Sequence, residues 1–249
     1  MVSFAAILAL GFLLGMRHAT DPDHVIAITT IVTKQRGIAK AGLIGALWGL
    51  GHTFTIFVVG TLIILFQVSI PPRVGLSMEF AVAAMLILLG ILNLTGVLVW
   101  FQRRFTPTST GPAPSVDPDA ELSPTLASTP DRISQKIRLF YIFRPLVIGI
   151  VHGLAGSAAV ALLVMTSIRD PWWAIAYLLI FGIGTVAGMM LITGVIAAPL
   201  TFTAGKCAGW NRSMAVASGL LSLGFGLFLT YQIGFVQGLF SSHPRWTPR

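Results

Sequence analysis

The chain has 249 residues, is 55% hydrophobic and only 10% charged, and has a mean hydropathy of +0.86. That composition excludes a soluble globular domain, which could not bury so much apolar surface, and indicates an all-α polytopic membrane protein. The formal charge of +8 does not point to nucleic acid, because most basic residues fall in short loops between apolar runs; membrane topology and anionic lipid explain them better.

Six segments reach the roughly 20 residues a span requires, at 2–33, 42–68, 78–101, 145–168, 172–199 and 213–238. The first lacks a basic n-region and a small-residue cleavage site before Arg17, so it reads as a retained span rather than a signal peptide. It is also too long for one simple helix, and Pro22 at its centre predicts a kink or interruption. Broken backbone at membrane depth is tolerated only beside a polar cavity or within protein. The stretch Gln102 to Gln135, rich in Pro, Ser, Thr and Asp, predicts a disordered linker over 102–140. It separates a first three-helix half (1–101) from a second with a short tail (141–249). The loops after the first, third and fifth spans, with Lys34, Arg36, Lys40, Arg103 and Arg104 among them, carry most of the Lys and Arg. This excess predicts a cell-membrane protein with the linker in the cytoplasm and both termini outside. Trp100, Trp172, Trp173 and Trp210 near span ends read as interfacial anchors, and the scattered Met85, Met165, Met189 and Met190 read as core.

The halves resemble one another. Gly15-Met16-Arg17-His18 corresponds to Gly149-Ile150-Val151-His152, and Gly49-Leu50-Gly51-His52-Thr53 to Gly182-Ile183-Gly184-Thr185-Val186. With three spans per half, the second copy enters from the opposite side, giving a 3+3 inverted repeat with a midplane site, as in secondary transporters. Gly11 and Gly15, Gly45 and Gly49, and Gly184 and Gly188 are spaced by four, so each pair predicts close helix approach.

The run His18-Ala19-Thr20-Asp21-Pro22-Asp23-His24 carries the chemistry. Two imidazoles and two carboxylates within one apolar span are costly and mark an ion or substrate path. On an intact helix His18 and His24 would diverge; a break at Pro22 could gather them with a carboxylate around one point. His52 on the next span is the natural further ligand, and His152 a candidate from the other half. Imidazole nitrogen with a few oxygens suits borderline first-row dications such as nickel, cobalt and zinc. Asp23 is assigned a larger share of the metal role than Asp21, whose carboxylate could instead fix a histidine tautomer. Arg17 beside a cation site is expected to pair with Asp21 or Asp23. His243 in the tail carries no role, and the single Cys207 excludes an intramolecular disulfide or a cysteine metal cage.

Two other functions fit parts of this pattern. His18 with Asp23 also satisfies H-x4-D, the base and orienting carboxylate of membrane acyltransferases, and Ser157 with His152 could serve a hydrolase. Pairs of histidines from two spans could ligate haem in an electron carrier. No G-x-x-x-x-G-K-[ST] is present, so ATP hydrolysis by that route is excluded.

The sequence resembles the nickel/cobalt transporter family. The resemblance rests on H-x4-D-H from His18 to His24, preceded by Gly15-Met16-Arg17, and on Leu50-Gly51-His52-Thr53. It implies movement of Ni²⁺ or Co²⁺ as substrate across the cytoplasmic membrane, with His18, Asp23, His24 and His52 as the positions that carry over. No tightly bound cofactor and no enzymatic activity are implied. Larger members have eight spans and acidic residues in the first span of the second half. This chain reads as six spans with Val151-His152 there, similar to the compact branch of urease-accessory and high-affinity nickel-transport proteins. The histidine-free linker favours uptake over export, while a homo-oligomer is left open.

Overall fold

The computed structural model describes residues 4–33, 37–67, 70–95, 143–156, 160, 164, 168, 170–203 and 208–246. The linker 102–140, Trp100, Ser157, Met165 and Cys207 lie outside them, as does the side chain of Trp210. The regular elements among the described residues are all helical. They are α1 (Phe4–His18), α2 (Pro22–Val32), α3 (Ile38–Phe66), α4 (Pro72–Leu94), α5 (Phe143–Gly156), α6 (Pro171–Thr203) and α7 (Ala208–Tyr231), the last continuing into a π-helical turn, Gln232–Val236.

Four stretches are long and apolar enough to cross a membrane: α3, α4, Pro171–Pro199 of α6, and Ser213–Val236. At 23 to 29 residues they reach roughly 35–44 Å, against a hydrocarbon core of about 30 Å. The expected first span is instead two helices of 15 and 11 residues, each too short to cross alone. Helix α4 begins at Pro72, six residues before the expected start at 78. Pro71-Pro72 looks like loop in a hydropathy reading, yet proline at the first helical position is favourable because its missing N–H has no intrahelical partner to lose.

The break falls where Pro22 predicts it. The amides of Thr20 and Asp21 donate to the carbonyls of Arg17 and His18 in a tight last turn. Asp21 then adopts φ −59°, ψ 144°, the extended geometry that a following proline imposes. Pro22 opens α2, and the amide of Val25 makes the first helical bond, to the carbonyl of Asp21 at 3.0 Å.

Small residues decide how the helices meet. A Cβ on Gly15 would strike the backbone of Phe181 and Thr185 in α6; one on Gly149 would strike the backbone of Trp48 and His52 in α3. Likewise Gly184 abuts the carbonyl of Phe12, and Gly51 that of Leu146. Helix α1 therefore lies on α6 as α5 lies on α3. The long helices α3 and α6 pair through Gly45, Gly49 and Gly182, which face Met189, Val186 and Thr53. In the α4–α7 pair, Gly90 meets the backbone of Gly219 and Leu223, and Gly226 that of Ala83 and Ile87. Each expected glycine pair is thus at a helix contact. Hydrogen bonds add to this, with Thr53 Oγ1 donating to Gly182 O at 3.1 Å, Thr55 Oγ1 to Ile150 O at 3.1 Å and Asn93 Nδ2 to Ala215 O at 2.8 Å. Such bonds contribute only about 0.6 kcal/mol each within a membrane, so close van der Waals packing contributes more to holding the helices together. The outward faces stay apolar, as with Leu50, Phe54, Leu62 and Leu65 of α3, the pattern of a helix surrounded by lipid.

Candidate metal centre

The break in the first span gathers the polar run. His18 ends α1, Asp21 caps α2, and Asp23 and His24 lie in the first turn of α2. His52 comes from the middle of α3 and His152 from α5. The four imidazoles form one cluster. His24 lies at its centre, with ring centroids 4.7 Å from His18, 4.9 Å from His52 and 4.2 Å from His152. His52 is 5.3 Å from His18 and 5.8 Å from His152. All six residues singled out from the sequence are therefore brought together, and His243 lies exposed in the tail.

Carboxylates fix the rings. His18 Nδ1 donates to Asp21 Oδ2 at 2.7 Å. Asp23 accepts from two imidazoles, from His24 Nδ1 through Oδ1 at 3.1 Å and from His152 Nε2 through Oδ2 at 3.0 Å. A carboxylate on one ring nitrogen directs the lone pair to the other, which is the usual support of a metal-binding histidine. Here it leaves His24 Nε2 and His152 Nδ1 buried without a hydrogen-bond partner, along with His52 Nδ1. Three such orphaned nitrogens within one cluster are costly unless a further group satisfies them.

Two ligand sets exist, each with its donor atoms within 4.8 Å of one another: His18, His24 and His52, and Asp23, His24 and His152. His24 belongs to both. In the first set His18 Nε2 and His52 Nε2 are 3.1 Å apart. An ion bonded to both at about 2.05 Å, the metal–imidazole distance known for zinc, would subtend an angle of about 98°. That lies between octahedral and tetrahedral values, so the spacing suits a first-row dication once the proton shared between the two nitrogens is displaced. The side chains of Asp21, Asp23 and His18 are 45%, 30% and 17% exposed, against 1–3% for His24 and His152. The carboxylates thus front a cavity of about 370 Å³, with the imidazoles behind.

Two expectations change. Arg17 makes no ion pair with Asp21 or Asp23 among the described residues; its side chain is exposed, and both carboxylates serve histidines instead. The H-x4-D spacing also does not create a base–carboxylate pair, because His18 binds Asp21 rather than Asp23. Ser157, the other half of the hydrolase pairing, lies outside the described residues.

The walls of the site were not singled out from the sequence. Trp48, fully buried, stands 5.5 Å from His24 and 5.4 Å from His152, and Phe181 is 5.5 Å from His18. Gly156 lies beside the cluster, where a Cβ would be 3.4 Å from His18 Nε2, in van der Waals contact. Trp48 precedes His52 by four residues, one turn along the same face of α3, which is the signal that could have found it.

Residues 4–237 match the model of a family described as high-affinity nickel-transport protein, NicO. The urease accessory protein UreH of Bacillus sp. (strain TB-90) is 36% identical over 239 residues, 96% of both chains. The chloroplast protein FOR GROWTH AND FERTILITY 1 of Arabidopsis thaliana is 23% identical over 219 residues, 87% of this chain but 56% of that protein. No solved structure matches the chain.

Proposed function

The chain belongs to the NicO family of high-affinity nickel-transport proteins, and on that premise we propose that it carries Ni²⁺ or Co²⁺ across the cell membrane, in the direction of uptake. The observation that carries the proposal is the His18, His24 and His52 set, whose nitrogens converge within 4.8 Å while Asp21 and Asp23 orient the rings. Membership in a transport family sets aside the enzyme reading. The haem reading needs two imidazoles on opposite sides of a macrocycle, whereas here three imidazoles pack around His24 in a single cluster.

The ion rests first on His18, His24 and His52. Asp23, His24 and His152 form the alternative position, reached by exchanging ligands about His24. Transport proceeds by alternating access, with halves 1–101 and 141–249 rocking about the site as a 3+3 inverted repeat joined by a cytoplasmic linker. The contacts made by Gly15 and by Gly149, by Gly51 and by Gly184, and by Gly90 and by Gly226 support that symmetry, since those of each pair correspond with the halves exchanged. The two ligand sets also support coupling, because only the second draws on the second half. The membrane potential favours inward movement of a dication, and no tightly bound cofactor is invoked.

The test is uptake of Ni²⁺ and Co²⁺ into proteoliposomes holding the purified chain. Potential-driven, saturable uptake that His24→Ala abolishes is expected. Uptake by His24→Ala at the wild-type rate would remove the cluster from the mechanism.

A further inference from the structure

Glu79 stands on α4, far along the chain from the polar run, yet it lines the same cavity as His18, Asp21 and Asp23. It sits in the second turn of an apolar spanning helix. A carboxylate placed there is costly and is by default a functional group. The end of the chain is folded onto it. Beyond the π turn the tail doubles back: the amide of Arg245 donates to Gln237 O at 2.8 Å, and Trp246 Nε1 donates to Glu79 Oε1 at 2.9 Å. The indole lies over Gly75, one turn before Glu79, where any Cβ would collide with the ring. The indole thereby fixes the direction of one oxygen of a carboxylate that offers about four acceptor sites.

We propose that Glu79 is a second cation position, an oxygen-donor capture point for a hydrated divalent ion at the tail side of the cavity, and that Trp246 is its positioning residue. This rests on the transport reading above and adds a station to the same path. The donor chemistry supports a division of labour. A carboxylate oxygen attracts a dication that keeps most of its water, while imidazoles take the borderline ion once water is shed. Glu79 therefore raises the occupancy of the cavity, and the histidine cluster selects. The role predicts a change in KM rather than in kcat, since the ligands that hold the ion during the conformational step are untouched.

Initial rates of Ni²⁺ uptake by the full chain in proteoliposomes decide the matter. Glu79→Gln keeps an oxygen for the indole and removes the charge; KM should rise about tenfold with kcat within twofold of wild type. Trp246→Phe keeps the carboxylate and removes the donor; KM should rise two- to threefold at unchanged kcat. A wild-type KM for Glu79→Gln overturns the proposal. So does an equal loss in kcat for both variants, the signature of a carboxylate that merely anchors the tail. Should Glu79→Gln fail to insert, Glu79→Cys in a Cys207→Ala background replaces it, labelled in the membrane with anionic or cationic thiosulfonate reagents. The anionic adduct must give the lower KM, and equal values overturn the proposal. Wild-type uptake with an indifferent Glu79→Gln sinks this inference alone. A wild-type chain that moves no Ni²⁺ sinks the transport reading and this station with it.

Discussion

Substituting His24 by alanine should separate binding from folding more cleanly than any other single change. His24 is the one donor common to both ligand sets, so its loss leaves each with two. Even residues that only orient a ligand contribute 10- to 100-fold in metal affinity. Loss of a shared ligand should therefore weaken Ni²⁺ binding by more than 100-fold, or about 2.7 kcal/mol. His52→Ala and His152→Ala each disable one set and leave the other, so each should cost nearer tenfold. The folding cost should be smaller than the binding loss. The ring is buried at 2% exposure and makes one hydrogen bond, to Asp23, while its Nε2 has no partner. Truncation opens a cavity, a cost of about 2–5 kcal/mol for buried large side chains, but also removes an unsatisfied polar atom that costs about 1–3 kcal/mol, so the two offset in part. Calorimetric titration of Ni²⁺ into the chain in lipid nanodiscs, with thermal unfolding of the metal-free protein alongside, measures both. Binding by His24→Ala within threefold of wild type would refute the reasoning, as would a greater loss for His52→Ala than for His24→Ala.

Asp23 orients two imidazoles and Asp21 one, so Asp23→Asn should weaken Ni²⁺ binding roughly 100-fold and Asp21→Asn roughly tenfold; equal effects in the same titration would contradict the assignment. Gly51→Val and Gly184→Val drive side chains into the carbonyls of Leu146 and Phe12, beyond the usual overpacking cost of about 1–3 kcal/mol. Both should lower the amount of folded protein recovered from membranes, and recovery at the wild-type level would show that α1 and α5 are not seated there. Thr185 aligns with His52 in the proposed repeat but donates to Phe181 O within its own helix at 2.9 Å. Thr185→Val should therefore leave Ni²⁺ affinity within twofold, and a tenfold loss would place Thr185 among the ligands.

The break and the cluster were legible because they follow from local chemistry. Pro22 constrains Asp21, and seven residues carry two imidazoles and two carboxylates into one short turn. The partners were harder. On charge alone Arg17 is the natural counter-ion of Asp21 or Asp23, whereas the direction of α1 turns His18 toward Asp21 and leaves Arg17 outside. Trp48 was less visible, because it is an apolar residue in an apolar helix and only its spacing of four from His52 marks it. Glu79 was hidden for a different reason. Its partner Trp246 is 167 positions away, and no local pattern reports a tail that folds back over a distant helix.

The proposed two-fold relation has a consequence for the ion's path. It takes Gly15 to Gly149 and Gly51 to Gly184, and therefore His18 to His152 and His52 to Thr185. Under it the glycine contacts recur in both halves, but three of the four imidazoles belong to the first half. His18 and His152 nonetheless meet the same two rings, at 4.7 and 4.2 Å from His24 and at 5.3 and 5.8 Å from His52. Equivalent residues that flank common neighbours must lie on either side of the relating axis, so the cluster straddles it. Exchanging the conformations of the two halves leaves a point on that axis at the same depth in the membrane. On that proposal an ion held there would not travel with the protein. It would change partners about His24, between donor sets that each fit within 4.8 Å, while the barriers move from one side of it to the other.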